Sequence, residues 1–121
     1  MQVVKKATAY VYHLPGRDWY YLIGPLNSEA KNLVFGIALF PPNSKPGAHV
    51  HTKEEEIIYI IAGKGKIVFQ GGQEVVLEPG VAVFIPPGVE HGIVAGDDEP
   101  LEMVTVFSPP VFPGSYDRKE G

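Results

Sequence analysis

The sequence predicts an all-β fold, one antiparallel barrel with under about a tenth of its residues helical. Three observations lead there. Glycine and proline are frequent, 14 and 12 in 121 residues, so turns recur along the whole chain. Between the turns lie short apolar runs rich in Val, Ile, Tyr and Phe, the composition of strands. No long stretch carries a 3.6-residue apolar period. The length suits a single core, so the expectation is one domain over 1–121. Within it the barrel occupies about 33–107, N-terminal strands 6–23, and an extended tail 108–121.

The elements follow in order. Residues 6–13, with Tyr10, Val11 and Tyr12, read as a first strand, and Trp19 to Ile23 as a second. Residues 24–32 are polar and loop-like. Leu33 to Phe40 is a mostly apolar strand, closed by the turn Pro41-Pro42-Asn43-Ser44-Lys45-Pro46-Gly47. His49 to Thr52 reads as a short strand. Glu55 to Ala62 is a strong isoleucine-rich strand that stops at Gly63-Lys64-Gly65. Gly65 to Phe69 and Gln73 to Leu77 form a hairpin about Gly71-Gly72. Val81 to Ile85, His91 to Ala95 and Leu101 to Phe107 complete the set, about ten strands in all. The tail is Pro-rich, then charged, and reads as extended.

Composition narrows function. A net charge of −4 without a basic block argues against nucleic acid. No apolar run approaches the roughly 18 residues of a membrane span. Cysteine is absent, which removes disulfides, thiolate catalysis and thiolate-bound zinc. The first ten residues hold no apolar signal-peptide core, so the cytoplasm is the expected location.

The chemistry concentrates in two segments. His49 and His51 stand i, i+2, so in a strand both imidazoles share a face. Glu56 opens a face continued by Ile58, Ile60 and Ala62, an apolar stripe that reads as barrel interior. A carboxylate on such a stripe is costly unless a metal or a basic partner meets it. His91 follows the turn Pro86-Pro87-Gly88, which returns the chain to the same level. Glu55 competes with Glu56, but the strand parity favours Glu56. On 33–40, parity alone leaves open whether Phe35, Ile37 and Leu39 or Gly36, Ala38 and Phe40 face inward.

These residues carry a family resemblance. His49-Val50-His51-x4-Glu56-x6-Gly63 resembles the first cupin motif, and Gly80-x5-Pro86-Pro87-Gly88-x2-His91 the second. Residues 47–95 are similar throughout. There are two departures: Asn43 stands where the first motif opens with Gly, and Ala95 where the second closes with Asn. The short interval from Gly63 to Gly80 is similar to that of small microbial single-domain cupins. The resemblance implies a double-stranded β-helix, or jelly-roll barrel, around one divalent metal ion. His49, His51, Glu56 and His91 would be the ligands, with Ile58 and Ile60 lining the pocket. Three imidazoles and a carboxylate suit Fe, Mn, Ni, Co, Cu or Zn. Small cupins are commonly homodimers, and the apolar segments Ala7 to Tyr12 and Trp19 to Tyr21 are the expected interface.

Other candidates read more plainly. His13 reads as a hydrogen-bonded surface histidine, Trp19-Tyr20-Tyr21 as packing or interface, and Tyr59 as outer packing. Arg17, Lys45 and Arg118 are the cations to consider for an anionic substrate, although each reads first as a solvated charge. No general base or phosphate-binding arginine cluster is evident. The expected function is a metal-dependent enzyme on a small oxygen-bearing molecule, by oxygenase or isomerase/lyase chemistry. The alternative is a non-catalytic metal- or ligand-binding module.

Overall fold

The computed structural model describes residues 1–115 and is built almost wholly of antiparallel strands. These are β1 (Tyr10–Leu14), β2 (Arg17–Ile23), β3 (Val34–Phe40), β4 (Glu55–Ala62), β5 (Gly65–Phe69), β6 (Glu74–Leu77), β7 (Ala82–Ile85), β8 (His91–Ala95) and β9 (Leu101–Ser108). The only helical piece among the described residues is a 3-10 turn at Lys6–Thr8. Six strands form one sheet in the order β1-β2-β3-β9-β4-β7, and three form a second, β6-β5-β8. Nearly every predicted strand is present within a residue or two of its expected ends.

Period-two alternation decides which side chains enter the core. On β4 the pattern is strict: Glu56, Ile58 and Ile60 are buried while Ile57, Tyr59 and Ile61 are exposed. On β9, Leu101, Met103, Thr105 and Phe107 point inward. On β3 the inward set is Val34, Gly36, Ala38 and Phe40, which resolves the parity left open by the sequence. Ile67, Leu77 and Ile85 come in from the other strands, each at most 1% exposed. Each such aliphatic side chain contributes about 1.5–3 kcal/mol of burial free energy.

Register ties the two halves together. β9 is central, pairing Gly36 of β3 with Thr105 and Glu56 of β4 with Phe107. On its other edge β4 pairs Glu56 with Ile85 of β7. Gly63 ends β4 with φ +82°, and a Cβ there would stand 2.1 Å from the Pro100 carbonyl oxygen. Only glycine lets the chain turn so close to the start of β9.

Two expectations change. The first strand begins at Tyr10 and not at Lys6, because residues 6–8 coil into the 3-10 turn. There Lys6 Nζ reaches Glu102 at 2.6 Å and lies over the Tyr20 ring. The segment 49–52 is not a strand: His49 makes a single antiparallel bridge to His91. Of the tail, Val111 is packed against the core, while residues 116–121 lie outside the described part.

Candidate metal centre

Three elements bring His49, His51 and His91 together and set Glu56 beside two of them. The bridge between His49 and His91 is doubly hydrogen-bonded, His49 N–H to His91 O at 2.8 Å and His91 N–H to His49 O at 2.9 Å. It clamps the 49–51 segment against the first residue of β8. Gly88 N–H donates to His51 O at 2.8 Å, so the turn after β7 holds the second histidine in place. Glu56 enters from β4, whose parity turns it inward. The turn that precedes the histidines is set by Asn43, which adopts φ +65°. Asparagine tolerates this left-handed region better than other non-glycine residues, and so serves where the motif opens with Gly. Ala95 is buried at the end of β8, and its N–H donates to Ser44 O at 2.9 Å.

One donor nitrogen from each of His49, His51 and His91 lies within 4.8 Å of the others. Glu56 Oε1 stands 3.2 Å from His51 Nε2 and 3.3 Å from His91 Nε2. Despite those distances, the angles leave Oε1 without a hydrogen bond. The carboxylate oxygen thus stands between the Nε2 atoms of two imidazoles. Two donors each about 2.1 Å from one ion stand about 3 Å apart when at right angles, so the spacing fits a transition-metal ion. His51 and His91 are 2% exposed and Glu56 6%. Burying that many polar atoms in an apolar barrel is costly unless a cation collects them.

The electrostatics agree with this donor set. Burial alone would push the Glu56 carboxyl up, but His51 and His91 outweigh it and hold it at about 2. Burial, joined by His91 and His51, pushes His49 down to about 3, which leaves its ring neutral with a lone pair to give. For His91, burial works downward but Glu56 prevails, and its pKa is raised. His91 Nδ1–H donates to Val89 O at 2.9 Å, so Nε2 is the nitrogen that faces Glu56. The His51 ring packs against Phe107 at 4.8 Å between centroids.

His49, Glu56 and His91 border an enclosed space of about 30 Å³, with Ile58, Met103 and Phe107 among its apolar walls. Such a space takes roughly two water-sized groups. Ile60 is fully buried on the same face of β4 but does not border it. Trp19 does, and its indole N–H donates to Thr105 Oγ1 at 2.8 Å. Glu55 is exposed at the start of β4, outside the cluster. His13 is exposed and paired with Asp18 at 2.7 Å, away from the site. Lys45 borders a surface cleft of about 590 Å³ on the outer face of β5 and β8, which none of the four site residues lines. Arg118 lies outside the described residues.

Arg17 corrects an expectation. It is not a solvated charge but is 7% exposed, and it borders the same enclosed space as His49, Glu56 and His91. It shares the inward face of β2 with Trp19 and Tyr21, themselves 2% and 4% exposed. Those two aromatic rings belong to the core and are not available to an interface.

Compared with known families, residues 36–107 match the cupin domain, more than half of the chain. The chain belongs to the cupin family. Solved structures share the fold of this cupin over nearly its whole length. A predicted oxalate decarboxylase from Thermotoga maritima is 24% identical, with a TM-score of 0.78, covering 89% of this chain and 99% of that one. The polyketide cyclase RemF from Streptomyces resistomycificus is also 24% identical, with a TM-score of 0.81 and coverage of 100% and 87%. Ectoine synthase from P. lautus is 19% identical, with a TM-score of 0.79 and coverage of 92% and 80%. At such identities the likeness concerns the fold. No curated protein matches this cupin in sequence. Among its described residues, no helix is long and apolar enough to cross a membrane.

Proposed function

We propose that this cupin is a metal-dependent enzyme acting on a small oxygen-bearing organic molecule, by oxygenase or isomerase/lyase-type chemistry. The observation that carries the reading is the trio His49, His51 and His91, with donor atoms within 4.8 Å of one another, and the Glu56 carboxylate beside two of them. These four would hold one divalent ion of the Fe, Mn, Ni, Co, Cu or Zn group. When bound, the ion supplies Lewis-acid polarisation or oxygen activation. The chain's part is to present three imidazoles and one carboxylate, to fix the His91 ring through Val89, and to keep water out with Ile58 and Phe107. The similar structures named above, a predicted oxalate decarboxylase, a polyketide cyclase and an ectoine synthase, are in keeping with small-molecule chemistry on this fold. A partner of that kind, not nucleic acid, also suits the net charge of −4.

The test is a screen of small acids and carbonyl compounds against the Fe, Mn, Ni and Zn forms, following oxygen uptake and product together. Turnover in one metal form, abolished along with metal uptake by Glu56→Gln, is the expected result. The second reading, a non-catalytic metal- or ligand-binding module, is favoured by one observation. Apart from Glu56, no carboxylate borders the enclosed space among the described residues, so no general base stands ready. Absence of turnover in every metal form would decide for it.

The same reading includes a homodimer. Ile57, Tyr59 and Ile61 of β4 and Phe84 of β7 are 44–53% exposed on one outer face. Ile57 lies opposite both Phe84 and Val106 in the sheet, so the strip is continuous. Contiguous apolar strips of this kind mark protein contacts, and a flat face that meets itself about a two-fold axis is the commonest solution.

A further inference from the structure

The space beside the metal centre holds about 30 Å³, room for roughly two water-sized groups. A small organic molecule fits there only after part of the wall moves. Among the described residues, two members of that wall also border a surface cleft. Ile93 borders the cleft on the outer face of β5 and β8. It stands opposite Ile67 in mid-strand and is packed in the core, so moving it would unpack the barrel. Arg17 borders a different cleft, of about 360 Å³, together with Leu14, Leu39, Pro41, Pro42 and Pro100. Of the described residues around that cleft, Arg17 alone is shared with the enclosed space.

The backbone on this side is pinned. The Ser44 hydroxyl donates to the Gly16 carbonyl. Gly16 itself takes φ +71°, and a Cβ there would stand 2.8 Å from Pro46 Cβ. The prolines of the rim have fixed φ. The part that can move is the Arg17 side chain, whose unbranched stem passes between staggered rotamers without disturbing its strand. Its Nη1–H donates to the Pro15 carbonyl at 2.9 Å, and this is not its sole interaction, so the closed arrangement is the resting one. We infer that this cleft is the mouth of the metal centre and that the Arg17 side chain closes it. Ions and small molecules enter beside the β1–β2 turn, and the displacement of Arg17 sets the size of what passes. The inference deepens the metal-dependent reading above and rests on it for its purpose, but the route itself is tested without metal.

Trp19 is the sole tryptophan, is 2% exposed and borders the enclosed space, so its fluorescence reports access to that space. Acrylamide quenching is measured on the metal-free full chain. Arg17→Ala should raise the quenching constant severalfold over the wild type, and Arg17→Gln, a shorter side chain, should fall between the two. Leu39→Ala alters the cleft but not the wall of the enclosed space, and should leave quenching unchanged. Ile93→Val thins the competing wall and should also leave it unchanged. A second measurement keeps Arg17 in place. Leu39→Trp fills the cleft and should slow Co(II) uptake severalfold, with the amount bound at equilibrium unchanged. It carries the test if the Arg17 variants do not fold, as judged by circular dichroism. Wild-type quenching in folded Arg17→Ala, a larger increase in Ile93→Val, or an unchanged uptake rate in Leu39→Trp would overturn the route and leave the metal centre standing. Failure of the wild type to take up cobalt would overturn the metal-dependent reading instead, and the quenching series would still decide whether Arg17 closes the barrel.

Discussion

His49 and His91 stand in opposite electrostatic positions, and with Glu56 they set the acid behaviour of the metal-free protein. His49 is held at about 3 against an ordinary 6.5, and Glu56 at about 2 against an ordinary 4.5. Both folded values are depressed, so both contributions to stability are lost as pH falls. That of His49 is full above 6.5 and drains toward 3; that of Glu56 is full above 4.5 and drains toward 2. His91 is raised, so its contribution is full below 6.5 and is lost as pH rises through its folded value. Thermal melts of the metal-free protein should therefore show stability declining between pH 6.5 and 4.5, before Glu56 titrates. His49→Gln should flatten that decline, and an unchanged slope would show that another group is responsible. At this scale the motif residues were legible because i, i+2 spacing and strand parity already orient them. Arg17 was not. A charge beside a Pro-Gly turn reads as solvated, and only the register Arg17, Trp19, Tyr21 signals that it faces inward.

The strands were legible wherever alternation and turn chemistry agreed. β4, β5 and β8 have the bounds expected from their apolar runs and the glycines or prolines beside them. The failures occurred where tertiary contacts override local pattern. His49 to Thr52 has strand parity but one bridge only, because its hydrogen bonds go to His91 and Gly88 instead of a full ladder. The N-terminal strand lost residues 6–8 to a 3-10 turn that brings Lys6 to Glu102 and Tyr20. Gly63 gives a test of the turn that ends β4. Gly63→Ala must accept a positive φ and a backbone oxygen 2.1 Å from its Cβ. It should cost about 2 kcal/mol or more, read from denaturant unfolding. A variant as stable as the wild type would mean that the start of β9 shifts freely, contrary to the packing of the fully buried Leu101.

Across the whole molecule, the barrel turns one face of each strand to the core and leaves the other to solvent or to a partner. Of the interface anticipated at Ala7 to Tyr12 and Trp19 to Tyr21, Trp19 and Tyr21 are spent on the core, and the dimer proposed above uses the outer strip of β4 and β7 instead. Light scattering at micromolar concentration should return the mass of a dimer. Ile57→Glu, placed at the middle of the strip, should return that of a monomer with its β-type circular dichroism intact. A monomeric wild type would assign those exposed side chains some other role.

The central claim is that the barrel exists to hold one metal ion between the two histidine-bearing segments and β4. Equilibrium dialysis of the wild type, His91→Ala and Glu56→Gln against Co(II), with metal and protein quantified together, tests it most directly. One ion per wild-type chain is predicted, with affinity lowered about tenfold or more in both variants, since His91→Ala removes a donor on β8 and Glu56→Gln removes the anionic charge on β4. Substoichiometric uptake by the wild type, or equal affinity in all three proteins, would contradict it.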